Sequence, residues 1–329
     1  MDCYRIGVDI GGTKIAYGLF DPSGKLIEKR KLRTDNLASQ DEFSDNVSRE
    51  ILSIMQDNRI TKEQMEGAAL CFPSSVDYEH GTVTFTPMIP SLQNYNAKKM
   101  LSERLPDMKV LVENDTNAAA LAEYTYGAGQ GHPHMLFTTI GTGMGSGLIL
   151  DGRLYHGAFG GAGESGHMII EPKSQDRFCG CGNAGCFMGM AAGGCLCKRV
   201  RDDILHGEKT LIASLTDSPD QITGETIKKA YDAGDPYAKR LVREEGYYIG
   251  LYVYNSFCLL NCDCFVLGGG MMHFGKELID TIRDTFDEYS RHLVSPGNEI
   301  VIEAAKTGDD MGIIGASELL RYESIGSVS

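Results

Sequence analysis

The densest chemistry in the chain is a run of soft ligands, His167, Cys179, Cys181 and Cys186, spaced H-x11-C-x-C-x4-C in a glycine-rich stretch. One imidazole and three thiolates fill the four tetrahedral positions of Zn²⁺, so such a site is structural and keeps no place open for water. Reduced, unmetallated cysteines are the alternative, with Cys195 and Cys197 as substitute ligands or, in the reading adopted here, core thiols. Glu164 lies three residues before His167. A metal gripping the histidine would aim that carboxylate at a ligand hydroxyl, whereas taken alone it reads as a solvated loop acid.

A second constellation is Glu113-Asn114-Asp115-Thr116-Asn117, where an apolar strand ends and a helix begins. Strand ends of this kind carry the reacting groups in open α/β sheets. Asp115 can there take a proton from a hydroxyl that Asn114 orients. An aspartate at that position also serves commonly as the helix cap. Two glycine hairpins complete the set: Asp9-Ile10-Gly11-Gly12-Thr13-Lys14, and Gly141-Thr142-Gly143-Met144-Gly145-Ser146-Gly147. Glycine lets backbone N–H groups reach phosphate oxygens, and Thr13, Lys14, Thr139 and Thr142 add donors. Turn geometry alone would explain one such hairpin; two of them argue for a shared phosphate ligand. Gly268-Gly269-Gly270 either admits a flat ligand close to backbone or serves helix–sheet packing. The stretch from Gly270 to Gly275-Lys276 is no Walker A loop, since Glu277 stands where Ser or Thr should hold Mg²⁺.

The elements that must position these groups follow from periodicity. Strands are expected at Tyr4 to Phe20 about the first hairpin, at Leu26 to Leu32, Gly67 to Phe72, Met108 to Val112, Met135 to Ile140, Leu148 to Leu150 and Cys264 to Leu267. Helices are expected at Asp41 to Asp57, Asp115 to Tyr126, Asp235 to Cys262, from Met271 to Asp280, and at Met311 to Tyr322. Strand, glycine hairpin and strand at residues 4 to 20 recur at 135 to 155, which predicts two related α/β domains.

With 329 residues, 42% hydrophobic and 23% charged, the chain is long enough for two domains and is neither disordered nor fibrous. Its net charge of -14 argues against nucleic acid and anionic membranes as partners. The longest uncharged helical candidate, Gly246 to Cys262, carries Asn255, Ser256 and Asn261 and is shorter than a membrane span. No export signal precedes the first strand, and ten cysteines need no disulfides in a chain of this size, so a cytoplasmic location is expected.

Together these motifs resemble the ROK family, which groups bacterial repressors, uncharacterised proteins and sugar kinases. The resemblance spans nearly the whole chain. It is carried by Asp9 to Lys14, Glu113 to Ala118, Ile140 to Gly147, Gly163 to His167, Cys179 to Cys186, Leu267 to Gly270 and Thr307 to Gly315. It implies an α/β actin-like ATPase (RNase H-like) fold with two α/β domains around a central cleft. The first would span 1–117 plus a C-terminal helix in 306–329, the second 118–305 with the zinc loop and adenosine site. It also implies ATP and Mg²⁺, a structural Zn²⁺, a homodimer, and phosphoryl transfer to a sugar hydroxyl with Asp115 as general base. Asp9, Gly11, Gly12, Thr13 and Lys14 would form one phosphate loop and Thr142 and Gly143 the other, with Gly268, Gly269 and Gly270 near the adenosine. Asn114, Asp115, Glu164 and His167 would hold the sugar.

Departures from the family pattern concern the sugar. Met188 stands where many members have a glutamate that bonds sugar hydroxyls, Ser74 follows Pro73 where glycine is usual, and Met88 occupies the region of a common asparagine. The resemblance therefore leaves open which sugar is taken. It also admits a catalytically silent sugar-binding or sensing protein, against which the intact Asp115 weighs. A family repressor would need a helix-turn-helix ahead of the strand that begins by Tyr4.

Overall fold

In the computed structural model, which describes residues 3–174, 177–322 and 324–325, the chain divides into two α/β units. The first comprises Met1–Pro133, Gly147–Ala162 and Lys306–Ser329, the second His134–Ser146 and Gly163–Ala305. Of the ranges expected from sequence, Met1, Asp2, Glu323 and residues 326–329 lie outside the described residues, as do Gln175 and Asp176.

The first unit begins with β1 (Tyr4–Ile10), β2 (Lys14–Phe20) and β3 (Leu26–Arg33), an antiparallel meander. Helix α1 (Gln40–Asp57) follows, then β4 (Met65–Phe72), a small sheet of β5 (Ser75–Asp77), β6 (Thr82–Phe85) and β7 (Tyr95–Asn96), and α2 (Ala97–Arg104). Strand β8 (Lys109–Asn114) runs straight into α3 (Asp115–Tyr126). The main sheet has the order β3-β2-β1-β4-β8, with β4 parallel to both β1 and β8. Apolar residues at helical spacing put Phe43, Val47, Ile51, Ile54 and Met55 of α1 into its core, as expected. A capping box starts that helix: Glu42 receives the Ser39 N–H at 2.8 Å and returns its own to the Ser39 hydroxyl.

The second unit opens with β9 (Met135–Ile140) and the start of β10 (Met144–Leu150), which ends in the first unit and turns there into β11 (Arg153–Tyr155). Helices α4 (Phe187–Ala191), α5 (Gly193–Leu205), α6 (Gly224–Asp232) and α7 (Pro236–Leu260) come next. Strand β12 (Cys264–Gly268) pairs in parallel with both β9 and β13 (Val301–Ala304), with α8 (Lys276–Ser290) between β12 and β13 in sequence. Close packing of α7 on α8 depends on Gly246 and Gly250, where an added Cβ would stand 2.7 and 2.5 Å from the Cβ atoms of Thr281 and Thr285. Among the described residues no helix is long and apolar enough to cross a membrane.

Two expectations shift. Strand β10 starts at Met144 rather than Leu148, because Gly147 is an in-strand glycine against α3: a Cβ there would lie 2.6 Å from that of Ala120. The division expected at 117/118 falls instead at Pro133/His134, since α3 packs on α9 (Met311–Glu318) in the first unit. That contact is backbone against backbone. A Cβ on Gly315 of α9 would sit 1.6 Å from the Ala118 carbonyl oxygen of α3, and one on Gly7 of β1 would sit 1.9 Å from the Ile313 carbonyl oxygen. Buried polar groups fix the same helices. Arg5 reaches Glu318 at 3.2 Å, and the Glu123 carboxylate accepts the backbone N–H of Ala128, Lys306 and Thr307 at 2.8–3.1 Å. Overpacking at the tightest point, Gly315→Ala, should lower the unfolding free energy by about 3 kcal/mol in a denaturant melt. A midpoint equal to the parent's would contradict this packing.

Candidate active site

In the first unit, residue types at the ends of the parallel strands β1, β4 and β8 determine what can react. Asp9 is the last residue but one of β1 and lies in register with Cys71 of β4, whose thiol points at it with Sγ 3.7 Å from Oδ1. Gly312 of α9 makes room for the carboxylate, since a Cβ there would stand 2.5 Å from the Asp9 Cγ. The β1–β2 turn is closed by the Gly11 N–H to the Lys14 carbonyl at 2.9 Å, and the exposed Thr13 and Lys14 sit at its tip. Met88 lies over this turn: a Cβ on Gly12 would come within 2.9 Å of its Cε.

The capping alternative for Asp115 is displaced by its neighbour. Asn114 is the cap of α3, its Oδ1 accepting the N–H groups of Thr116 and Asn117 at 2.8 and 3.1 Å, while its Nδ2 donates to the Ser74 carbonyl at 3.1 Å. Asp115 is thereby left as the first helical residue with a carboxyl not spent on capping. Burial first, and then the charge of Asp9, push that carboxyl up to about 6. Asp9 is itself raised by burial, against the lowering pull of the Cys71 thiol and of Lys14 and Lys31.

In the second unit, the β9–β10 turn is closed by the Gly141 N–H to the Gly143 carbonyl at 2.9 Å. A Cβ added at Gly141 or Gly143 would meet nothing within 4 Å, so this hairpin, with the exposed Thr142 hydroxyl, is open to a ligand. Sequence reasoning missed what supports it. Helix α5 begins on the pair Gly193-Gly194, which donate to the carbonyls of Gly141 and Thr142 at 2.8 and 3.2 Å. Gly268 and Gly269 are spent on packing: Cβ atoms there would strike Phe137 at 3.0 Å and the Ile140 backbone at 2.5 Å. Gly270 alone faces open space, and it starts a 3-10 turn, Gly270–Phe274, rather than the helix expected from Met271; α8 begins at Lys276.

The four soft ligands converge. Their donor atoms all lie within 4.8 Å of one another, with Cys181 Sγ 3.7 Å from Cys186 Sγ and Cys179 Sγ 3.4 Å from His167 Nδ1. Sulfur–sulfur edges of roughly 3.8 Å are what tetrahedral Zn–S bonds of about 2.3 Å require, so the donor set fits Zn²⁺. The Asn183 backbone N–H holds the Cys181 thiol down near 6, whereas burial pushes Cys186 up to about 12, a cost that a bound cation removes. His167 turns its other nitrogen, Nε2, towards Glu164 Oε2 at 3.8 Å, so one ring links the ligand cluster and the exposed carboxylate. Ser165, between them, is held by Ser146 at 2.5 Å and by the Tyr252 hydroxyl at 3.0 Å. Met188 lies against this loop, its Sδ 3.8 Å from Cys179 Sγ and its Cε 3.1 Å from where a Gly166 Cβ would be. Cys195 and Cys197, expected in the core, are half-buried on α5.

Two α/β units, each with a strand–glycine hairpin–strand start and a sheet holding parallel strands, have the actin-like ATPase fold. Known proteins agree. The ROK family pattern matches residues 5–323, and the chain belongs to the ROK family. It is 33% identical over 321 residues to a glucokinase of Streptomyces coelicolor, covering 96% of this chain and 97% of that one. Among solved structures, a ROK hexokinase from Thermus thermophilus superposes with a TM-score of 0.81 at 29% identity, covering 95% and 96% of the two chains. A ROK family glucokinase from Streptomyces griseus, solved with glucose and AMPPNP, gives 0.76 at 32% identity, with 97% and 99% covered.

The ligand geometry predicts about one zinc per chain by elemental analysis of protein purified without chelator. Cys186→Ala should lose the metal and lower Tm; full zinc content in that variant would place the metal elsewhere.

Proposed function

We propose that this protein is an ATP-dependent sugar kinase in which Asp115 is the general base. The observation that carries the reading is the Asp115 carboxyl itself, released from capping by Asn114 and raised to about 6 by burial and Asp9. A group in that range is ionised at neutral pH and still basic enough to accept the proton of an attacking hydroxyl. The full-length likeness to glucokinases supports the phosphoryl-transfer class. Binding and orienting fall to the chain's own backbone: Gly11, Gly12, Thr13 and Lys14 in one hairpin, Thr142 and Gly143 in the other, with Gly270 the member of Gly268 to Gly270 left free for the nucleotide. Mg²⁺ near Asp9 would supply charge neutralisation at the phosphates. Asn114, Glu164 and His167 are assigned to the sugar. For Asn114 this means a contact beside its cap, and for His167 a contact through the Nε2 side.

The acceptor is a hexose or hexose derivative, and the two methionines bear on which one. Met188, in the first turn of α4 against the candidate zinc loop, stands where the resemblance implies a sugar-bonding glutamate, and Met88, 53% exposed, covers Gly12. Replacing an acceptor of hydroxyls with a thioether removes hydrogen-bond discrimination and favours a substituted or epimeric sugar over glucose. The ten free cysteines suit a reducing, ATP-rich cytoplasm.

A coupled ADP-release assay with Mg-ATP and a panel of hexoses, N-acetylated hexosamines, epimers and glucosides tests both points. Glucose leading the panel in kcat/KM by a wide margin would contradict the specificity reading. Asp115→Asn should cut kcat on the best sugar by ~10²–10⁴-fold while sparing sugar binding. Because the base must be unprotonated, turnover should rise with pH through a midpoint near 6 and then level off. A rate flat down to pH 5 would remove Asp115 from that role.

A further inference from the structure

Directly before the Asn114-Asp115 step stands an acid without an assigned role, and a histidine far away in sequence holds it. Glu113 is 4% exposed and His156 2% exposed, and the His156 Nε2–H donates to Glu113 Oε2 at 2.6 Å. The other oxygen of Glu113 accepts the Asn114 backbone N–H at 2.8 Å and the Asn117 side-chain amide at 3.0 Å. Both carboxylate oxygens are therefore committed, one to the histidine and one to the first turn of α3. Tyr78 lies flat on the imidazole, centroids 3.7 Å apart and planes 12° from parallel. His156 Nδ1 is buried without a hydrogen-bond partner. Leaving a buried ring nitrogen unpaired is unfavourable, and a phenylalanine would stack on Tyr78 without that cost. What an imidazole adds here is the Nε2–H.

We propose that Glu113 and His156 form a positioning pair for the transfer step: His156 clamps one oxygen of Glu113 so that the other sets the Asn114 turn and thereby the direction of Asp115. This rests on the kinase reading above, and it assigns roles to two residues that touch no substrate. Asp115 is the residue that follows the N–H Glu113 holds, and Asn117, whose amide Glu113 also holds, lies one turn into the same helix. A base displaced by a fraction of an ångström loses rate far more than it loses substrate affinity, so the pair should be visible in kcat and silent in nucleotide KM.

The full-length protein is assayed with Mg-ATP on the best sugar of the panel, in four variants. H156F keeps the stacked ring without the donor, H156Q restores an N–H near the Nε2 position, E113A removes the acceptor, and E113A/H156F removes both. Expected are a fall in kcat of ~100-fold in E113A and H156F with KM for ATP within about twofold, recovery of at least about tenfold in H156Q over H156F, and a double variant no slower than E113A. Parent kcat in H156F, losses that multiply in the double variant, or KM rising in step with a fall in Tm would overturn the pair. If E113A does not fold, H156F against H156Q carries the same comparison.

If the parent phosphorylates no sugar, the kinase reading fails separately, and amide exchange still decides on the pair. In H156F the N–H groups of Asn114, Thr116 and Asn117 should exchange at least about tenfold faster than in the parent, with H156Q restoring them. Parent exchange rates in H156F would overturn the pair.

Discussion

Everything at the candidate site of the first unit depends on how closely α9 approaches β1 and α3. Gly7 and Gly315 allow backbone to touch backbone there, so the helix stands over the sheet at a separation that no side chain would permit. Asp9 is placed by the same approach, because Gly312 leaves space for its carboxylate beside the helix. Packing then acts as chemistry. With Asp9 packed against α9 and Asp115 at the start of α3, each acid loses water and Asp115 also feels the charge of its neighbour, which together push its carboxyl up to about 6.

How far the sequence could be read depended on how locally each feature is encoded. The four candidate metal ligands lie between His167 and Cys186, and spacing alone was enough to group them. Asp115 was legible because a polar quintet interrupts an apolar strand, although the same pattern could not tell which residue would cap the helix. Long-range partners left no local mark. His156 meets Glu113 across 43 residues, and Gly193-Gly194 meet the second hairpin across some fifty; nothing in either segment advertises its partner. Glycine was the recurrent ambiguity. At Gly141 and Gly143 it leaves space for a ligand, at Gly268 and Gly269 it is consumed by packing, and the sequence pattern is alike in both. The expected domain boundary missed for a related reason: an alanine-rich helix such as α3 carries no sign of which neighbour it will be pressed against.

The second unit holds its candidate groups differently. Its exposed carboxylate, Glu164, has no strand end to hold it and relies on His167, on the hydroxyls around Ser165 and on the loop that the soft ligands draw together. A metal there would do for this segment what a core does elsewhere, fixing a glycine-rich stretch that buries too little apolar surface to order itself. Met188 touches that loop through sulfur contact with Cys179, so a substitution at this position would also alter the surroundings of the candidate metal ligands.

The first unit is assembled from segments far apart in sequence: Arg5 pairs with Glu318 across 313 residues, and Glu123 waits for the N–H groups of Lys306 and Thr307. On a ribosome this imposes an order of events. Strand β1 is made long before the helix that shields it, so the early sheet has one face uncovered until α9 follows. The second unit, nearly continuous in sequence from residue 163 to 305, has no such wait. The candidate site of the first unit therefore cannot form until α9 has been made, and a nascent chain cannot present Asp9 in its packed setting before that helix has been released.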